Sequence, residues 1–142
     1  MSGKPTARRD SSEADSFEAA ASLREALRLF SRRSEEVTRR HGLTPRGYSL
    51  LLMIKTGRAA HERAAPDELE QRLQLAKSTV AELLQRNEEA GYVRRELHPA
   101  RRGAIVVALT RKGEQRLQRV FDELGSERDR LLHLVHALHN DR

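Results

Sequence analysis

The feature of this sequence that most restricts its fold is a helical stretch followed directly by two short β-like runs. The helical stretch begins at Lys77, carries apolar residues at the spacing of one helix face, and stops at Gly91. The β-like runs are Tyr92–Leu97 and Ala104–Leu109, and the segment between them, His98–Gly103, contains a proline and two adjacent arginines. The sequence therefore predicts a helix followed by a two-stranded hairpin with a positively charged tip.

Two shorter helices are predicted before this pattern. Thr44 and Pro45 are typical of a helix start, because threonine caps the first turn and proline at the first helical position loses no hydrogen bond. That helix ends near Gly57, and Pro66–Leu73 forms the next one, followed by the turn Gln74–Ala76. Two short helices separated by such a turn are a helix-turn-helix, and the hairpin makes it a winged helix-turn-helix.

Apolar surface is left over at both ends of the chain. Ser16–Arg40 is predicted to be a long helix capped by Ser16 and stopped by Gly42 in the left-handed conformation. Arg111–Leu124, capped by Thr110, and Glu127–His139 are predicted helices that share an apolar stripe. Apolar surface outside a compact winged unit is best hidden against a second copy. A dimer would set two equivalent helices about 34 Å apart, the spacing of successive major grooves.

Positive charge is concentrated in the hairpin. The chain has a net charge of +6. Arg94–Lys112 contains six basic residues and one acidic residue, a net charge of +5, whereas Ala76–Ala90 has two basic and three acidic residues, a net charge of −1. A positive excess favours a polyanion such as double-stranded DNA, and an arginine at a wing tip fits a narrow minor groove. The hairpin is therefore expected to attract phosphates while the preceding helix contacts base edges.

The predicted DNA contacts centre on the first turn and outer face of the helix that begins at Lys77. Free backbone N–H groups and the positive end of the helix dipole attract phosphate there. The inner face is predicted to pack into the core through Val80, Leu83 and Leu84, and alternation places Ile105, Val107 and Leu109 on one strand face. The predicted DNA-binding residues are Thr44, Lys77, Ser78, Thr79, Glu82, Gln85, Arg86, Arg94, Arg95, Arg101 and Arg102.

Composition excludes several classes of function. The sequence has no cysteine, so it has neither a disulfide framework nor a thiolate metal site. No apolar run approaches the roughly 18 residues of a spanning helix, and residues 1–15 are polar, unlike a signal peptide. We therefore expect a cytoplasmic protein that does not contact the membrane. No nucleophile triad, phosphate-cradling glycine loop or dinucleotide fingerprint occurs, so neither enzyme activity nor a cofactor is expected.

The predicted fold class is mainly α with a small β-hairpin wing. The chain is expected to divide into a flexible tail (1–15), an N-terminal dimerisation helix (16–42), a winged helix-turn-helix DNA-binding domain (43–109) and C-terminal dimerisation helices (110–142). The loop Arg58–Ala65 is expected to contribute one bridging β residue.

Four stretches between residues 43 and 113 form a recognisable series, namely Leu43-Thr44-Pro45, Lys77-Ser78-Thr79-Val80, Glu88-Glu89-Ala90-Gly91-Tyr92-Val93-Arg94-Arg95 and Leu109-Thr110-Arg111-Lys112-Gly113. With these stretches, residues 43–113 resemble the MarR (multiple-antibiotic-resistance-type) family. The resemblance implies a homodimeric winged-helix repressor or activator that binds a pseudo-palindromic operator and releases it on binding a small, commonly phenolic, effector. Three departures concern the tip, which has no carboxylate at Ala100 or Arg101, Asn87, which replaces an apolar residue and is expected to be exposed, and Glu70, which replaces a small residue in the preceding helix.

Three further hypotheses concern ligands and partners. A small aromatic effector is predicted to bind near Phe30, His41 and Tyr48, where the reading domain would meet the dimerisation helices. The winged helix could instead be an interaction module whose arginines meet an acidic protein. His133, His136 and His139 recur every three residues, so a metal-responsive regulator is an alternative, although no carboxylate in this helix completes a ligand set and no metal site is predicted.

Overall fold

The structure, a computed structural model, describes the backbone of residues 4–140 and the side chains of residues 11–137 and 139. This range contains six helices and a three-stranded antiparallel sheet. It divides into two compact units. Unit 1 takes the described residues up to Ser34 and from Leu124 onwards, and unit 2 is Glu35–Glu123. Residues 1–3 of the predicted tail and residues 141–142 of the predicted C-terminal segment lie outside the described residues.

Helix α1 spans Lys4–Arg40, so the helix start predicted at Ser16 is wrong. Ser16 lies inside the helix, where its hydroxyl donates to the carbonyl of Ser12 over 3.0 Å. A serine hydroxyl can bond the carbonyl four residues back as readily as it can cap a first turn, and residues 6–40 contain no glycine or proline to stop the helix. The predicted end is confirmed, since Gly42 follows with a φ of +73°.

The helices α2 (Pro45–Lys55) and α3 (Pro66–Leu73) begin at the predicted prolines. Thr44 caps α2, because its hydroxyl accepts the backbone N–H of Gly47 over 2.9 Å. At the start of α3 the carboxylate of Glu68 accepts the N–H of Ala65 over 3.3 Å, which satisfies one donor outside the first turn.

Helix α4 spans Lys77–Glu89, and its inner face largely follows the predicted pattern. Val80 and Leu84 are buried, whereas Leu83 is only half-buried. Asn87 is 6% exposed, so the expectation that it lies at the surface is wrong. Its side-chain amide donates to the carbonyl of Leu83 over 2.8 Å, and a satisfied donor makes a buried polar side chain tolerable.

The sheet has the strand order β1 (Arg63–Ala64), β3 (Ile105–Leu109), β2 (Val93–Leu97). The bridging residues predicted in the loop before α3 are therefore present as β1. The expected alternation along β3 is wrong, because Val106 to Leu109 are all buried and Ile105 is 44% exposed. Helices α2 and α3 contact β3 in addition to its two neighbouring strands, and consecutive side chains of β3 are buried by this packing. Only its first residue, which pairs with exposed Leu97 near the tip, lacks that cover.

The hairpin base is tied to helix α5 (Arg111–Glu123) through Thr110. The Thr110 hydroxyl donates to the carbonyl of Gly91 and accepts the N–H of Gly113, which confirms Thr110 as the cap of α5. Gly113 is buried with its backbone so close to the Tyr92 carbonyl that a Cβ would collide with it, so this close approach requires glycine.

The core of unit 2 lies between its helices and β3. Its fully buried side chains include Leu69 of α3, and truncating it to alanine would cost about 2–5 kcal/mol. The other large, fully buried side chains of this unit are Leu50, Leu51, Ile54, Val37, Val80, Val106, Val107, Val120 and Thr38.

Unit 1 contains most of α1 and helix α6 (Gly125–Asn140), which begins two residues before the predicted position. Arg33 of α1 and Glu127 of α6 form an ion pair over 3.3 Å. Several large apolar side chains in this unit remain exposed. They are Phe17 at 76%, Leu27 at 44%, Leu29 at 60%, Leu132 at 51% and Val135 at 41%.

Candidate nucleic-acid interface

The first turn and outer face of α4 are open to solvent. Lys77 and Ser78 are exposed at the N-terminus of the helix, and Thr79 is half-buried beside them. Because no side chain caps this turn, its backbone N–H groups are available to a phosphate. Further along the same face, Glu82, Gln85 and Arg86 are also exposed. This face therefore combines a cation, hydroxyls and base-reading side chains.

Arg101 and Arg102 are exposed at the tip of the hairpin. Neither guanidinium makes a hydrogen bond or ion pair with any residue that the structure describes. Both charges are therefore available to an external anion, as the sequence predicts.

Arg94 and Arg95, which are also predicted DNA contacts, are bonded inside unit 2. The Arg94 guanidinium donates to Glu96 over 2.8 Å and to the carbonyl of Leu109 over 2.6 Å. Arg95 donates to Glu88 of α4 over 2.9 Å. These two arginines fasten β2 to its neighbours, and their predicted role on DNA stays a prediction.

Glu96 is the shared acceptor of an ion-pair cluster that the sequence did not indicate. Arg63 of β1 donates to it over 2.7 Å, across β3, while Arg94 donates along its own strand. These hydrogen bonds, first from Arg63 and then from Arg94, hold the pKa of the Glu96 carboxyl below its usual value of 4.5. No local signal could have located this cluster, because Arg63 and Glu96 meet only through the pairing of three strands.

The tip turn is organised by His98. Its Nδ1 atom accepts the backbone N–H groups of Ala100 and Arg101, each over 3.0 Å. Below the turn, the His98 N–H donates to the Ala104 carbonyl over 2.8 Å, and Gly103 reverses the chain with a φ of +81°. Sequence reasoning missed His98 because it looked only for a carboxylate; the available signal was an acceptor side chain directly before Pro99.

A cavity of about 730 Å³ lies between the tip, α3 and the start of α4. Its basic lining includes Arg58, Lys77 and Arg101, and its acidic lining includes Asp67 and Glu70. This groove separates the start of α4 from the tip of the hairpin.

The remaining predicted site residues fall in different places. Thr44 is exposed, with its hydroxyl used as a cap. Tyr48 is buried in unit 2, and His41 of the same unit bonds the Glu123 carboxylate over 2.7 Å. Phe30 is half-buried in unit 1. The effector site predicted from these three aromatic side chains stays a prediction.

The sequence model of the MarR family matches residues 41–102, which covers α2, β1, α3, α4 and β2 as far as the wing tip. The chain is therefore similar to the MarR family over most of the winged helix-turn-helix. This similarity supports a DNA-binding transcription regulator. No curated protein sequence matches the chain significantly.

Solved structures of MarR-type proteins share the fold of this chain. AbsC, a MarR family transcriptional regulator from Streptomyces coelicolor, is 24% identical with a TM-score of 0.67 over 80% of this chain and 75% of AbsC. Disulfide-formed AbfR is 21% identical with a TM-score of 0.71 over 96% and 94%. A mutant MarR from E. coli, in complex with operator DNA, is 19% identical with a TM-score of 0.64 over 82% and 81%.

Neither a metal cluster nor a membrane span emerges from the described residues. Within residues 4–140, no three histidine or acidic side chains come together as metal ligands, so nothing found there supports the metal-responsive alternative. None of the helices described combines the length and the apolar character needed to cross a bilayer.

Proposed function

We propose that this chain is a homodimeric, sequence-specific regulator of the MarR type that binds a pseudo-palindromic operator with α4 in the major groove and the wing tip in the adjacent minor groove. The observation that carries the proposal is the pairing, in one compact unit, of an uncapped helix start at Lys77 with the unpaired guanidinium groups of Arg101 and Arg102. The first supplies phosphate-binding N–H groups, and the second supplies cations that suit a narrow groove.

The dimer is supported by unit 1. Its exposed apolar side chains, such as Leu132 and Val135 one turn apart on α6, are better placed against a second copy than in water. A twofold dimer would double the phosphate contacts and set the two α4 helices at the spacing of successive major grooves.

The regulatory sign that we propose is repression. A dimer that covers about two helical turns of a promoter blocks access to it without needing any further activity. A small aromatic effector bound beside His41 and Tyr48 of unit 2 would lift repression by favouring a spacing of the two reading helices that no longer fits DNA.

The DNA-binding proposal is tested by selecting duplexes from a random-sequence pool with the full-length chain. Selected sites should be pseudo-palindromes whose half-sites are centred about 10 base pairs apart. If no duplex stays bound in the presence of excess nonspecific DNA, the DNA-binding proposal is rejected. That result would favour the alternative of an interaction module, in which Arg101 and Arg102 meet an acidic protein.

The dimer is tested by sedimentation of the double variant L132E/V135E, with R130E on an exposed position of the same helix as the matched control. The double variant should sediment as one chain, while wild type and R130E sediment as two. Sedimentation of the wild type as a single chain at micromolar concentration would remove the dimer from the proposal.

Repression and its release are tested with a reporter downstream of a selected site. The regulator should lower expression, and screened aromatic acids and phenols should restore it in the wild type but not in H41A. Increased expression on adding the regulator would reverse the proposed sign.

A further inference from the structure

The wing-tip turn contains a hydrogen-bond arrangement that fixes the state of a titratable ring. Both groups that bond Nδ1 of His98 are backbone N–H donors, those of Ala100 and Arg101. Nδ1 must therefore carry a lone pair, and the proton of the neutral ring must sit on Nε2. The turn is compatible with only one of the three protonation forms of histidine.

The neighbouring residues explain why an imidazole does this here. Pro99 has no N–H, so the first amides available after His98 are those of Ala100 and Arg101. Asparagine or aspartate side chains usually bond these amides in such turns. The segment between β2 and β3 contains neither, and the ring of His98 provides the acceptor instead.

The His98 ring bonds the segment of the tip that carries the unpaired guanidinium groups. Arg101 is held at its backbone N–H by Nδ1, and Arg102 follows it directly. We propose that His98 positions this arginine pair on DNA, and that it does so only as the neutral ring protonated at Nε2. The proposal rests on the DNA-binding function proposed above and adds the residue and the protonation state that the tip requires.

Protonation of His98 has two opposing consequences. A proton on Nδ1 removes the acceptor, so both amides lose their partner and the tip loosens. The same proton adds a positive charge beside a polyanion, which by itself strengthens binding. The charged groups that line the same cavity as His98 are Arg58 before β1, Asp67, Glu68, Glu70 and Arg72 on α3, Lys77 on α4 and Arg101 on the tip. The sign of the pH effect on DNA affinity therefore separates positioning from simple charge.

The first experiment needs no DNA. Nitrogen NMR of the full chain should show His98 protonated at Nε2 and not at Nδ1 near pH 8. The amide signals of Ala100 and Arg101 should move together with the titration of that ring. A ring protonated at Nδ1, or two amides that ignore the titration, would overturn the proposal.

The second experiment compares three variants on a selected operator. H98A should bind about 3- to 10-fold more weakly than wild type near pH 8, the effect of losing one or two exposed hydrogen bonds. H98N, which can bond the same amides, should restore binding to within about twofold. H61A is the matched control, because His61 lies in the same unit with its side chain 91% exposed, and it should bind like wild type.

The pH profile completes the test. Between about pH 8 and about pH 5.5, wild type should lose roughly 3- to 10-fold in affinity relative to H98N, because a proton on Nδ1 removes the acceptor of the two amides and asparagine has no such proton to gain. Acidification that strengthens wild type relative to H98N would overturn the positioning role. If no variant and no wild-type chain binds any duplex, the proposed function itself is wrong, whereas equal binding by H98A and wild type refutes only the role of His98.

Discussion

The two arginine pairs of the wing have the same composition and different surroundings. The guanidinium groups of Arg101 and Arg102 at the tip are exposed and make no bond to any residue described. Arg94 and Arg95, on strand β2 only seven residues earlier, are bonded to Glu96 and Glu88. The first pair is available to a ligand, whereas the second pair connects the wing to its own sheet and to α4.

This difference shows why counted charge overstates the attraction of the hairpin. Arg94–Lys112 has a net charge of +5, but Arg94 and Arg95 already meet carboxylates and Lys112 donates to the Ala90 carbonyl. Ion pairs at the surface bring little stability, yet each removes one cation from the charge that an approaching phosphate meets.

Removing the tip pair should have the largest effect. R101A/R102A is expected to weaken operator binding about 10- to 100-fold and to lower the salt slope by about 2 for each subunit, because two cations that displace counterions are lost. Fluorescence anisotropy across a salt series measures both. R119A/R130A removes the same charge from exposed positions on α5 and α6 and should change neither. If the salt slope of R101A/R102A equals that of wild type, the tip arginines do not bind phosphates and do not differ in this respect from Arg94 and Arg95.

Removing Arg94 and Arg95 should have a smaller effect, and it should change stability instead of DNA affinity. R94A/R95A is expected to lower the free energy of unfolding by about 1 kcal/mol, measured in urea, while the salt slope stays close to wild type. A double-mutant cycle between Glu88 and Arg95 should give a coupling of about 0.2–1 kcal/mol. A salt slope that falls as far as in the tip variant would show that the strand arginines leave their carboxylates for DNA.

The smallest expected effect concerns Glu96. Its pKa is lowered in the folded protein, so its contribution to stability is complete above about pH 4.5 and is lost as the pH falls through the lowered pKa. E96Q should therefore be slightly less stable than wild type at pH 7, and the difference should disappear on acidification below pH 4.5. Thermal unfolding at a series of pH values measures this, and a gap that widens in acid would contradict the ion-pair cluster.

Most of the fold was predicted from sequence signals that act within one helical turn. Thr44-Pro45, Pro66 and Thr110 mark helix starts by chemistry that acts within one turn, and the helices begin there in the structure. The helix start predicted at Ser16 was wrong because the sequence alone does not distinguish a serine inside a helix from a serine at its start. The burial of consecutive residues of β3 was not predicted because it depends on packing against helices α2 and α3, which lie about 30 or more residues earlier in the sequence.

In the candidate site, too, features that depend on nearby residues could be predicted and features that depend on tertiary contacts could not. The tip arginines and the helix face were predictable, because exposure at a turn and at an uncapped helix start is local. The pairing of Arg95 with Glu88 and of Arg63 with Glu96 was not, since it depends on how strands and helices meet. His98 lay between these cases: the amides it bonds are two and three residues away, but only a side-chain rotamer shows that the ring turns towards them.

The closure at Thr110 has a consequence for engineering. Because its hydroxyl and N–H join Gly91, Tyr92 and Gly113 at the foot of the hairpin, the ladder between β2 and β3 is anchored at the end opposite to the tip. Residues 99–103 can thus be exchanged as a cassette, in length as well as in sequence, on a scaffold that does not depend on them. Libraries restricted to this cassette would vary the charge and the shape of the tip while leaving the folding of the scaffold intact.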